Sequence, residues 1–245
     1  MSPNSKAADH TDEEGRDLPR TLNVSEMSWQ KAAVIIAHPD DETFCSGLIC
    51  ELTNAGAEVL VCCVTKGEGG PTGGLERAQL GAAREAEMKS ACRVLGVKEL
   101  LFLGHIDPVT EQDRVFAPNV SVSALSAQIA PLVEGFDLVI CHGSCGEYRH
   151  PGHLLVFDAV KHFVDHTDRK PDWMTFLARN PEHPIPRLIN PDDQADYWLD
   201  VGKHRKLREE ALACHRSQIS LFGKFAGGDY RDFIAKTSLE SYCKR

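Results

Sequence analysis

The sequence predicts a single α/β domain built on a mostly parallel sheet with helices on both faces, a Rossmann-like arrangement. Two observations carry that prediction. Four short runs rich in apolar and β-branched residues recur along the chain, as expected of strands buried on both sides. Segments with apolar residues at helical spacing lie between them, and such alternation implies crossover connections in a parallel sheet. At 245 residues the chain has length for one or two domains of roughly 150 residues each.

The elements follow in order. The stretch from Met1 to about Met27 is polar and lacks the apolar run of a signal peptide. Residues 1–29 are therefore expected to be a flexible tail, residues 30–222 the domain, and residues 223–245 a C-terminal extension. Residues 32–37 (AAVIIA) read as the first strand. Residues 43–55 have helical spacing, with Gly56 as a C-terminal stop. Residues 58–64 (EVLVCCV) form the second strand, where Cys62 and Cys63 should point to opposite faces. Residues 65–74 contain five glycines and a proline and read as a loop. A helix over 77–95 ends at Gly96, and residues 99–103 (ELLFL) are the third strand. A helix over 122–133 is expected to stop early at Pro131. Residues 137–142 (DLVICH) are the fourth strand, followed by a helix over 154–166. Beyond it, 171–176 reads as a strand, 180–193 as irregular, and 203–218 as a helix.

Composition excludes several classes. Hydrophobic residues make up 42% and charged residues 26%, which is ordinary for a globular chain and not for a disordered or fibrous one. The net charge of −9 gives no general attraction to nucleic acid or anionic membrane. No run reaches the length of a membrane span. The nine cysteines are odd in number and include no CxxC pair, which suits buried thiols in a reducing compartment. A cytoplasmic protein is the expectation.

Ligands of open parallel sheets bind beyond the carboxyl ends of the strands. Three polar clusters fall there. His38-Pro39-Asp40-Asp41-Glu42 follows the first strand, and Thr65-Lys66-Gly67-Glu68 follows the second. After the fourth come His142, Glu147, Tyr148, Arg149, His150, Pro151, Gly152 and His153. Imidazole and carboxylate together suit zinc better than calcium or magnesium. His38, Asp41 and His153 can supply three ligands and leave one position for water. Asp40 is then free to take a proton from that water, and His150 to stabilise an oxyanion or protonate a leaving amine. Against this stands the helix-capping role that acidic residues after a strand commonly play.

The same residues resemble a known family. Residues 37–42 (AHPDDE) look like the signature of the LmbE/PIG-L zinc-dependent de-N-acetylases. Arg84, Glu87, Ala91, Leu95 and Gly96 fit a second motif of that family, and Phe102-Leu103-Gly104 with Asp107 a third. His150-Pro151-Gly152-His153 resembles its HPxH motif, and Ala211, His215, Ser217 and Gln218 its closing one. The likeness runs over roughly residues 32–220. It implies hydrolysis of an N-acetyl group on an N-acetylglucosamine-like sugar conjugate, with one zinc ion per chain. It assigns His38, Asp41 and His153 to the metal, Asp40 as general base, His150 as oxyanion or acid group, and Arg84 to substrate. It also admits a homo-oligomer. In place of the Asp that many members carry inside HPxH, this chain has Gly152. Alternatives are an amidase for another acylated small molecule and a metal- or sugar-binding protein without catalysis.

Other features carry weaker readings. The glycines at 67, 69, 70, 73 and 74 match no phosphate-binding spacing and suit a pocket-lining loop, with Lys66 and Glu68 near substrate. Cys45 reads as packing rather than nucleophile. His142 is either a strand end or a support for the metal site, and His215 a residue near it. Trp173, Tyr197 and Trp198 are candidates for a sugar-stacking surface.

Overall fold

The computed structural model describes residues 18–109 and 115–245. Most of the expected tail, residues 1–17, lies outside the described residues. The strands are β1 (Arg20–Thr21), β2 (Lys31–Ile36), β3 (Glu58–Thr65), β4 (Glu99–His105), β5 (Leu138–Cys141), β6 (Asp172–Phe176), β7 (Ala178–Arg179), β8 (Asn190–Gln194), β9 (Tyr197–Asp200) and β10 (Leu239–Lys244). The helices are α1 (Ser46–Asn54), α2 (Arg77–Val94), α3 (Val122–Val133), the single turn α4 (Gly146–Arg149), α5 (Pro151–His166), α6 (Arg205–Cys214), α7 (Ile219–Ala226) and α8 (Tyr230–Lys236).

Eight strands form one sheet in the order β1-β9-β10-β6-β5-β2-β3-β4. The run from β6 through β5, β2 and β3 to β4 is parallel throughout. The strand expected at 171–176 is thus present as β6, beside β5. Pairing Val34 with both Val61 and Ile140 buries β2 in the middle of the sheet, which is why its inner residues are uniformly apolar. The chain winds outward from β2 to β3 and β4, then returns to β5 and β6 on the other side. That reversal opens a crevice beyond the carboxyl ends of β2 and β5.

Each face of the sheet carries its own core. Val34, Ile36 and Cys63 point into one, with Leu48, Leu52, Met88, Leu212 and Phe233. Ala33, Ile35 and Cys62 point into the other, with Ile129, Val156 and Val160. Cys62 and Cys63 therefore do face opposite ways, as strand geometry requires.

Three expectations need correction. Pro131 does not end α3, which continues to Val133. The helix is in its last turn there, and burial of Ile129 and Val133 outweighs the one hydrogen bond lost. The helix expected over 203–218 ends at Cys214. Residues 223–245 are no appendage: β10 lies inside the sheet, antiparallel to both β9 and β6. Part of the expected tail is likewise built in, since β1 pairs with β9 and Trp29 is buried. No helix among the described residues is long and apolar enough to cross a membrane.

Candidate functional site

The loop leaving β2 makes a sharp turn. Asp40 sits in the left-handed region at φ 95°, a conformation that a non-glycine residue adopts only under constraint. A 3₁₀ turn over Asp41–Cys45 follows, and Asp41 Oδ2 accepts from the His38 backbone N–H at 2.8 Å. The turn packs Asp40, Asp41 and Glu42 into the interior, each less than 10% exposed. Asp41 and Glu42, for which helix capping was the alternative, turn their carboxylates back to the backbone N–H groups of His38 and Asp40.

His153 enters from the first turn of α5, fully buried. Its Nε2 lies 3.4 Å from Asp41 Oδ1. His38 lies close by, with ring centroids 5.3 Å apart. The Nε2 atoms of both His38 and His153 are buried without a hydrogen-bond partner. Two sets of ligand atoms fall within 4.8 Å of one another: those of His38, His150 and His153, and those of Asp41, His142 and His153. Neither set is the expected trio: His153 belongs to both, His38 only to the first and Asp41 only to the second. His142 has no nitrogen to spare. Its Nε2 accepts from the Ala37 N–H at 3.1 Å and its Nδ1 bonds Glu147 at 2.8 Å.

His150 is half-buried and accepts the Gly152 N–H on Nδ1 at 3.2 Å, so its proton sits on Nε2. Burial, together with the neighbouring His153 and His38, pushes His150 down to about 2 and keeps it a neutral donor. Burial pushes the Asp40 carboxyl up to about 6 against the pull of the Arg84 guanidinium. In Asp41 the opposite outcome holds: the charges and hydrogen bonds of His153 and His142 overcome burial and keep it ionised.

Arg84, expected to touch substrate, is 3% exposed. It donates to Asp40 Oδ2 at 3.0 Å, to Pro39 O at 2.5 Å and to Gly67 O at 2.8 Å. It therefore ties the β2 loop to the glycine-rich loop. A Cβ on Gly67 or Gly70 would overlap its guanidinium, which explains glycine at both positions. Lys66 pairs with Glu85 at 2.5 Å, and Glu68 accepts from the Asp107 N–H. Asp107 reaches into the cluster, 3.4 Å from His38 Nε2.

Several supporting residues carried no assigned role in the sequence. Glu147 bridges His142 and His153, its Oε2 lying 2.6 Å from His153 Nδ1. Asn190 holds Glu147 by side chain and backbone. Glu42 accepts from the Asp40 N–H and bonds His215 Nε2 at 2.5 Å, which places His215 at the back of the site. The expected stacking surface is not here. Trp173 is buried against Phe157, Tyr197 lies in a core, and Trp198 packs with Ala178 and Cys243. Cys45 is fully buried and its thiol is pushed well up by burial, as packing demands.

The chain is 27% identical over 241 residues to the 1D-myo-inositol 2-acetamido-2-deoxy-alpha-D-glucopyranoside deacetylase of Mycolicibacterium gilvum, covering 80% of this chain and 83% of that one. Its fold matches N,N'-diacetylchitobiose deacetylase from Pyrococcus horikoshii with a TM-score of 0.61 at 19% identity, over 91% of this chain and 88% of that one. It matches the zinc-inhibited form of teicoplanin deacetylase Orf2 with a TM-score of 0.65 at 16% identity, over 88% and 98%. Residues 33–164 match the model of the PIG-L family, the GlcNAc-PI de-N-acetylases, and the chain belongs to that family of deacetylases.

Proposed function

We propose that the chain is a zinc-dependent hydrolase that removes the acetyl group from an N-acetylglucosamine-like sugar conjugate. The observation that carries this reading is the pair of buried Nε2 atoms on His38 and His153 that lack a hydrogen-bond partner, on two rings that both border Asp41, His153 through Nε2 at 3.4 Å and His38 through Nδ1 at 3.3 Å. Orphaned buried nitrogens cost free energy unless something binds them. A His₂Asp set suits zinc and leaves an open position. The 3.4 Å between His153 Nε2 and Asp41 Oδ1 is near the edge of a tetrahedron with bonds of about 2.0 Å.

His38, Asp41 and His153 would hold the metal. Bound zinc would polarise the acetyl carbonyl and acidify a water. Asp40 takes the proton of that water on its carboxylate, with Arg84 holding Oδ2 so that Oδ1 remains available. His150 donates its Nε2–H to the oxygen of the tetrahedral intermediate. The proton taken up by Asp40 would then pass to the leaving amine, while His150, held neutral, keeps its Nε2–H. Arg84 positions Asp40 and, through it, the substrate. A free carboxylate beside the metal set has no purpose in a mere binding protein. The nine unpaired thiols support a cytoplasmic setting.

Release of free amine from a panel of N-acetylglucosamine glycosides tests the reading. Activity lost with chelator and restored by zinc is the expected result. A folded protein that takes up no metal would overturn the ligand set. Bound zinc with no amine release from any glycoside would overturn the substrate class.

A further inference from the structure

We propose that Glu147, fixed by Asn190, is the positioning residue that sets the tautomer and orientation of His153 at the proposed metal site. The inference rests on the zinc reading above and deepens it. Glu147 Oε2 meets His153 Nδ1 at 2.6 Å and His142 Nδ1 at 2.8 Å. An ionised carboxylate only accepts, so both imidazoles carry their proton on Nδ1. The Nε2 lone pair of His153 is thereby directed at the cluster, where it has no other partner. His142 spends its own Nε2 on the Ala37 N–H, pinning the far end of the pair to β2. The two rings stack with centroids 3.9 Å apart, so His153 cannot rotate without displacing its neighbour.

The effort of holding Glu147 is visible in the backbone. Its φ of 45° with ψ of −149° lies outside the helical values of the turn around it, and Arg149 follows at φ 62°. Strain of this kind persists only where the surroundings impose it. Asn190 imposes it. Its Oδ1 accepts from the Cys145 and Glu147 N–H groups, and its Nδ2 donates to Glu147 Oε1 and to the carbonyls of Phe176 and Leu177. Glu147 Oε1 also accepts from the Gly143 N–H at 3.0 Å. Every lone-pair direction of the buried carboxylate is used, and none faces the substrate side. At position 152 a Cβ would lie 3.2 Å from His150 Nδ1 and from His38 Cε1 and Nε2. A side chain there would need both rings to give by a few tenths of an ångström.

The test uses the full chain and zinc itself. Glu147→Gln keeps shape and removes the charge that fixes both Nδ1 protons. Its zinc Kd is expected to rise about 10–100-fold, and the visible absorption of the cobalt-substituted protein to shift. Glu240→Gln serves as the comparison: a buried carboxylate in a purely structural network, whose loss should lower Tm and leave zinc Kd unchanged. His153→Ala should abolish zinc binding. If the wild type binds no zinc, the underlying reading fails. If the wild type binds and Glu147→Gln matches it within twofold with an unshifted cobalt spectrum, the positioning role fails alone. Nitrogen-15 spectra of the zinc-loaded wild type need no variant to fold. A proton on His153 Nδ1 is expected, and one on Nε2 would overturn the proposal.

Discussion

Asp40 meets two demands at once: a left-handed backbone that turns the loop, and a buried carboxylate shared with Arg84. Asp40→Asn preserves shape and the ligand set, so it should retain zinc and fold while kcat falls about 10²–10⁴-fold. Amine release with metal content on the same sample checks both halves. Gly67→Ala attacks the same carboxylate indirectly. A methyl group at φ 68° is strained and overlaps the guanidinium that holds Asp40. Catalysis should therefore fall at least tenfold with zinc content unchanged, measured side by side with wild type. The sequence exposed the residues close together in the chain: His38, Asp40 and Asp41 in one pentapeptide, His150 and His153 in another. Glu147 and Asn190 stayed hidden because their partnership spans 43 residues and hangs on a strained φ that no composition rule foretells. Arg84 was found, but its burial beneath Asp40 could be seen only in three dimensions.

At the level of elements, the parallel half was legible and the antiparallel half was not. Strands β2 to β5 are continuous apolar runs, whereas β10, antiparallel to both its neighbours, reads LESYCK, with no period to betray it. What holds β10 is polar. Glu240 accepts from the Gly47 and Leu48 N–H groups at the start of α1 and from Tyr242 Oη at 2.6 Å. Tyr242→Phe removes one of those donors from a buried carboxylate and should cost about 1–3 kcal/mol, read by urea unfolding. The end of β10 is tied by Lys244 to Asp172 at the start of β6, at 2.8 Å, with Trp29 donating to the same carboxylate. Partial burial works against the Asp172 charge, but those two hydrogen bonds outweigh it and hold the carboxyl below its ordinary range. The folded-state pKa is depressed, so the stabilisation is fully present above the ordinary value of 3.8 and is lost as pH falls from there through the lower folded-state value. Asp172→Asn should lower stability at pH 7, by no more than about 1 kcal/mol for so exposed a pair, and by progressively less as pH falls below 3.8. Equal destabilisation above and below that value would refute the tie.

For the whole molecule, the proposed zinc would be a ligand of the native state alone. The buried Nε2 atoms of His38 and His153, which lack a hydrogen-bond partner, are a cost that zinc would remove. Free zinc at a hundred times Kd adds about 2.7 kcal/mol, which for a chain of this size raises Tm by roughly 5–10 °C. Scanning calorimetry with and without chelator reads that shift, and an unchanged Tm on verified loading would show the cluster to be no part of the folding equilibrium. The sheet has a further consequence for synthesis in time. Among its strands, β9 and β1 join the rest only through β10, which follows all of them in the chain. A nascent chain can assemble β2 to β6 and gather the metal-site residues up to His153 well before that. Strands β1 and β9 must wait, paired with each other and with an open edge, until residues 239–244 emerge to stitch them in. A nascent chain arrested before β10 would therefore expose two sheet edges that chaperones recognise, and release from arrest would close both in a single step.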